Sequence, residues 1–170
     1  TVSIASSAAS VCVSSPASFT ASGANTYSWV NGPTTPDYTV TPTAAAVYTV
    51  IGTSTAGCVS SRTVALGSYT LPVVSIAPSS ASICLNSLGT FVASGASTYT
   101  WNASPTNTSA TFTVVPSGNT VYTVVASTTA GCIGSQTVGV TSYSLPAMII
   151  TPPSATICAN SFTSFVADRK

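Results

Sequence analysis

Apolar and polar positions alternate with a period of two along most of this chain. Around residues 120–127 the alternation places Tyr122, Val124 and Ala126 on one face, and Phe112 and Val114 do the same on an opposing run. Runs rich in Val, Thr, Tyr and Phe are punctuated by Gly, Pro, Ser and Asn, and no stretch follows a 3.6-residue period. The spacing predicts strands near Val73–Ile76, Thr90–Ala93, Thr98–Asn102, Thr111–Val115, Val121–Ser127 and Gly134–Thr141. Six or seven strands in about 73 residues suit a small β-sandwich.

The pattern recurs. Ser3-Ile4-Ala5 leading to Val11-Cys12 returns as Ser75-Ile76-Ala77 leading to Ile83-Cys84, and again as Ile149-Ile150-Thr151 leading to Ile157-Cys158. Thr26-Tyr27-Ser28-Trp29 matches Thr98-Tyr99-Thr100-Trp101, Val47-Tyr48-Thr49-Val50 matches Val121-Tyr122-Thr123-Val124, and Thr55-Ala56-Gly57-Cys58 matches Thr129-Ala130-Gly131-Cys132. The second repeat carries a two-residue insertion after its Trp. The expected organisation is all-β: repeat 1 over residues 1–71, repeat 2 over 72–145, and the first strands of a third over 146–170. Leu71-Pro72 and Leu145-Pro146 leave little slack between repeats, so a semi-rigid rod is expected.

Each full repeat carries two cysteines. Pairing inside repeats joins Cys12 to Cys58 and Cys84 to Cys132, which lie 46 and 48 residues apart, and leaves Cys158 with a partner outside the chain. Closing such a loop is worth about 4 kcal/mol through restriction of the unfolded chain, a large contribution for domains too small to rely on core burial. A metal or redox centre is the rival reading. No CxxC, no His and no nearby thiolate-activating cation support it. Stable disulfides imply an oxidising, extracellular setting.

Charge narrows the function classes. The chain has no His and no Glu; its charged residues are Asp37, Arg62, Asp168, Arg169 and Lys170, three of them at the C-terminal end. A nucleic-acid partner needs a basic stripe, and none exists. No run approaches the ~20 apolar residues of a membrane-spanning helix. Catalysis needs a positioned acid, base or activated nucleophile. Asp37 has no counterpart in the second repeat and reads as a turn residue after Pro36, so no enzyme, cofactor or metal site is expected.

Other residues have two readings. Trp29 and Trp101 could stack on sugar rings, but their equivalent places on a central strand predict core packing. Tyr48 and Tyr122 are expected as core tyrosines of the corner type, their hydroxyls bonded to local backbone. Asn102-Ala103-Ser104 and Asn107-Thr108-Ser109 match the N-glycosylation sequon, with Pro105 following the first. O-linked glycans on the many Ser and Thr residues would hydrate so uncharged a surface.

In its order of Cys84, Ala93-Ser94-Gly95, Trp101, Tyr122-Thr123-Val124 and Gly131-Cys132, the chain resembles the Ig-like and PKD-like repeats of Bacteroidota secreted surface proteins. The resemblance covers essentially the whole chain and implies adhesin or filament repeats exported by the type IX system. It departs from the antibody pattern, where the second Cys follows the corner Tyr by two residues; Val50 and Val124 stand there instead. The lack of loop carboxylates sets it apart from calcium-binding relatives. The expected function is a structural subunit or stalk of an extracellular bacterial filament or surface fibre. The alternatives are a spacer or adhesin module of a giant cell-surface protein, or a carbohydrate-binding accessory domain of a secreted enzyme. Its partners would be copies of itself or further repeats of the same chain. Residues 146–170 read either as the start of a longer array or as an acceptor for strands from a partner.

Overall fold

The computed structural model describes residues 1–103 and 106–169; Ser104 and Pro105, from the first sequon and its flank, and Lys170 lie outside the described residues. Alternation across the pleat turns the sequence pattern into strands: β1 (Ser3–Ser6), β2 (Ser10–Cys12), β3 (Ala17–Ser22), β4 (Thr26–Trp29), β5 (Asp37–Val40), β6 (Ala46–Thr53) and β7 (Val59–Tyr69). A second set follows: β8 (Ser75–Ala77), β9 (Ser80–Cys84), β10 (Gly89–Ser94), β11 (Thr98–Trp101), β12 (Thr111–Val114), β13 (Thr120–Ser127) and β14 (Ile133–Tyr143). The hairpin of β15 (Met148–Thr151) and β16 (Val166–Arg169) comes last, and the described residues contain no helix.

Each set folds as two facing sheets. In the first, β1-β3-β5 pair antiparallel, while β4-β6-β7 pair antiparallel and β2 adds to β7 in parallel. The second repeats this order as β8-β10-β12 and β11-β13-β14-β9. In immunoglobulin terms these are an A-B-E face and a C-F-G face, with the first strand switching sheets part-way along. The fold is therefore a tandem of Ig-like β-sandwiches, derived from its own strand order.

Alternate residues fill the cores. β3 buries Ala17, Phe19 and Ala21, and β10 buries Gly89, Phe91 and Ala93. Trp29 and Val50 complete the first core with Leu66; Trp101, Val124 and Val138 complete the second. Phe19 lies opposite Tyr38 in register, as Phe91 lies opposite Phe112, so each core is a ladder of aromatic rings. Tyr48 and Tyr122 are half-buried against it, with ring centroids 5.0 Å from Phe19 and Phe112 respectively. Antibody domains place a cystine between strands B and F behind the strand-C Trp. Here Phe19 and Val50, and Phe91 and Val124, occupy those strands, so each core is held by packing alone.

Four of the six strands expected in the second repeat begin and end within a residue of their expected places. The other two are displaced or extended by two residues at one end, and β9 was not expected at all. The hairpin repeats the register of its predecessors: Ile150 faces Ala167 as Ile4 faces Ala21 and Ile76 faces Ala93. No second sheet covers it, however, and every described residue of β15 and β16 is exposed.

Truncating a core ring should cost far more than changing an exposed apolar residue. Phe91→Ala is expected to destabilise by about 3–5 kcal/mol, and Val73→Thr, at a position 87% exposed, by no more than about 0.5 kcal/mol. Urea unfolding followed by tryptophan fluorescence separates the two.

Candidate functional site

The cysteines are the chemistry-bearing residues, and strand geometry decides how they meet. Cys12 ends β2 and stands opposite Tyr69, the last residue of β7, while Cys58 immediately precedes Val59, the first. The eleven residues of β7 lie between them. At about 3.3 Å per residue that is roughly 35 Å, whereas a disulfide needs Cα atoms about 4.4–6.8 Å apart. Cys84 opposite Tyr143, and Cys132 just before Ile133, repeat this separation across β14.

The expected pairs Cys12–Cys58 and Cys84–Cys132 are therefore not formed. Cys12 is bonded instead to Cys132, across the joint between the two sandwiches, with Cα atoms 5.6 Å apart. The bond spans 120 residues of sequence. Cys58, Cys84 and Cys158 are free and exposed.

The local frames of the cysteines are of two kinds. Cys58 and Cys132 close matching turns: Ser54 N–H donates to Cys58 O at 2.9 Å, and Thr128 N–H to Cys132 O at 3.0 Å. The hydroxyls of Ser54 and Thr128 each accept the cysteine N–H at 3.1 Å. Gly57 and Gly131 supply the left-handed residue these turns require, at φ 81° and 80°. Cys12, Cys84 and Cys158 each start another turn, accepting N–H from Ser15, Ser87 and Ser161 at 2.9, 3.0 and 3.1 Å. Its left-handed residue is Ser14, Asn86 or Asn160. The bonded pair thus joins one cysteine of each kind, and the free ones include both kinds.

The remaining candidates lie within the two sandwiches. Both indoles are buried, Trp29 2% and Trp101 1% exposed, so neither offers a ring face to a sugar. Their Nε1–H groups donate to Thr35 O at 3.1 Å and Ser109 O at 3.0 Å. Among the described residues, the tyrosine hydroxyls bonded to local backbone are those of Tyr27 and Tyr99, bridging the N–H and C=O of Ala24 and of Ala96. This corrects the expectation for Tyr48 and Tyr122; the signal was present in the recurring Gly-Ala-x-Thr-Tyr phrase. Asp37 opens β5 rather than forming a turn, and its Oδ1 accepts from the Thr20 hydroxyl at 2.8 Å. Asn102 is exposed, with Oδ1 accepting from Thr123 N–H at 2.6 Å, and the half-buried Asn107 accepts from Ser109 N–H at 2.8 Å. The two asparagines line a hollow of about 290 Å³ with Phe112 and Tyr122. No group of three potential metal ligands occurs among the described residues.

No protein-family model and no curated protein sequence matches the chain. Solved structures similar to it include three N-terminal domains of the bacteriophage RB49 highly immunogenic outer capsid protein Hoc, at 18% identity and TM-score 0.43, covering 100% of this chain and 69% of that one. The eight N-terminal Ig domains of Down syndrome cell adhesion molecule isoform 1.30.30 align at 14% identity and TM-score 0.47, over 88% of this chain and 24% of theirs. Sidekick-1 immunoglobulin domains 1–5 align at 11% identity and TM-score 0.34, over 84% and 40%. These likenesses are distant, and the strand order given above carries the fold assignment.

Chymotryptic mapping without reduction should recover Cys12 and Cys132 on one linked peptide pair and neither within-repeat pair. A loop of 120 residues stabilises by roughly 5 kcal/mol in the chain-entropy model. Cys12→Ser should therefore lower the urea midpoint of the chain, while Cys58→Ser leaves it unchanged.

Proposed function

We propose that this protein is a non-catalytic stalk or structural subunit of an extracellular fibre, built from Ig-like repeats that are tied covalently at their joints. The observation that carries this reading is the bond from Cys12 to Cys132. A disulfide inside a domain serves that domain's stability, whereas one between domains fixes how successive domains sit. A fibre needs the second. The disulfide also favours an oxidising location outside the cell, in line with the secreted surface repeats that the sequence resembles.

Surface chemistry supports the same reading. Charged residues make up 3% of the chain, against the roughly 25–35% of a typical designed soluble surface. Val47 and Ile51 on β6, and their counterparts Val121 and Val125 on β13, are exposed. Such a surface can pack against a like surface without stripping water from ions. Glycans on Ser, Thr, Asn102 or Asn107 would keep it hydrated where it is not packed. The β15–β16 hairpin suits strand addition: Phe165, in the place that Phe19 and Phe91 fill in their cores, is 53% exposed, and sheet strands from another repeat would cover it.

Electron microscopy of the native material tests the proposal. Beaded rods or filaments are expected, with reductant widening the spread of angles between neighbouring beads. Isolated globular particles, indifferent to reductant, would remove the fibre reading. Rods that carry a distinct terminal domain would favour a spacer that presents an adhesin.

A further inference from the structure

Two places on the β15–β16 hairpin are built as in the folded repeats and stand open. The first is its core face. Ile76 and Phe91 are 7% and 0% exposed in the second sandwich, whereas their counterparts Ile150 and Phe165 are 56% and 53% exposed. The second is the stretch before the cysteine. Ser10–Cys12 and Ser80–Cys84 pair in parallel with β7 and β14, while Ile157 and Cys158 lie in no strand and are exposed. The turn after them is formed all the same: Ser161 N–H donates to Cys158 O at 3.1 Å, and Asn160 is left-handed at φ 66°. A sheet of the β11-β13-β14 kind would fill both places, its inner face covering Ile150 and Phe165 and its long last strand pairing with Ile157-Cys158.

Cys84 stands at the corresponding joint. It faces Tyr143 as Cys12 faces Tyr69, and each starts the same left-handed turn, at Asn86 or Ser14. The chain then takes the same path. Ile76 follows Tyr69 by seven residues and pairs with Ala93; Ile150 follows Tyr143 by seven and pairs with Ala167. At the first joint Cys12 is bonded to Cys132, in the turn between the sixth and seventh strands of the following sandwich. The hairpin brings no such turn, and Cys84 is an exposed thiol.

We infer that the β15–β16 hairpin is the docking face for a sheet of this repeat type, and that Cys84 captures this sheet by bonding to the cysteine of its Thr-Ala-Gly-Cys turn. The inference rests on the reading of the chain as repeats tied at their joints. The occupant is defined by an apolar inner face and by a cysteine placed after a left-handed Gly, as Cys132 follows Gly131. The required approach of the two turn types is one the fold already makes at Cys12 and Cys132. The bond forms by exchange with a small disulfide oxidant such as oxidised glutathione. One protein thiolate attacks the oxidant and releases one glutathione thiol. The second thiolate displaces the other glutathione, so two protein thiols lose two electrons and the oxidant leaves as two thiols.

The test extends the full chain by one such sheet. A second copy of residues 95–145 replaces Arg169 and Lys170, because Gly23 and Gly95 are left-handed at the place of Arg169, at φ 89° and 95°. The appended copy carries Ser135→Thr at an exposed site, which marks its cystine peptide by mass. After incubation with oxidised glutathione, Cys84 is expected to resist alkylation until reduced, and chymotryptic mapping to link it to the marked copy of Cys132. Cys58 and Cys158 should stay open to alkylation, and the unreduced chain should run as a monomer. Cys132→Ser in the appended copy alone should reopen Cys84 while Phe165 stays protected from chymotrypsin, which separates capture from folding. A Cys84 that alkylates freely in the extended chain overturns the inference. So does a link from the marked cysteine to Cys158, or a Phe165 that remains cleavable. Should native rods persist with Cys84 as a thiol, capture fails while the fibre reading stands. If the extended chain forms its second joint but native material is globular, the fibre reading fails instead.

Discussion

The last strand of each sandwich, β7 or β14, is the constraint on which the other features depend. It runs the length of its domain, pairs antiparallel along the whole of β6 or β13, and carries the short β2 or β9 in parallel at its far end. One cysteine precedes this strand and the other faces its end. A fully hydrogen-bonded strand cannot shorten, so the two cannot meet inside one domain. Cys12 instead meets Cys132, in the turn at the head of the next sandwich. Covalent chemistry that would be spent on a core in an antibody domain is thereby moved to the joint, and the core relies on aromatic packing.

That reliance is visible in which side chains fill the space. Phe19, Trp29, Tyr38 and Tyr48 contact one another with ring centroids 5.0–5.9 Å apart, and Phe91, Trp101, Phe112 and Tyr122 do so in the second repeat at 4.8–6.4 Å. Offset and edge-on ring pairs at these distances contribute about 0.5–1.5 kcal/mol each beyond the area they bury. Tyr27 and Tyr99 tie the B–C corner on the rim of each core, satisfying backbone groups of Ala24 and Ala96 that the turn would otherwise leave unpaired.

Much of this was legible in the sequence because it is local. Period-two alternation located β10 to β13, and the equivalent central-strand places of Trp29 and Trp101 pointed to their burial. What was not legible depends on pairings remote in sequence. Ser10–Cys12 and Ser80–Cys84 are short and partly polar, and become strands only through parallel pairing with strands 57 to 59 residues away. Without those two strands the position of Cys12 relative to Cys58 has no geometric content, and proximity in sequence wins by default. The tyrosines mislead for a similar reason. Tyr48 and Tyr122 occupy the corner position of the antibody pattern, but their rings pack against Phe19 and Phe112 at 5.0 Å, and the bonds to corner backbone are made by Tyr27 and Tyr99.

The joint also has a mechanical character that follows from where its two tethers lie. The chain crosses from one sandwich to the next just after Tyr69, and the cystine crosses at Cys12, the residue paired with Tyr69 in register. The tethers leave the first sandwich about one strand spacing apart, roughly 5 Å. Two attachments resist rotation of one domain about the rod axis, which a single linker would allow. Bending about the line through both attachments is opposed only by whatever surface contact the domains make, and with so few charges no ion pair can supply it. Such a joint fixes the azimuth of each repeat while leaving one direction of flex. A fibre made this way would hold a fixed rotation from each repeat to the next under load.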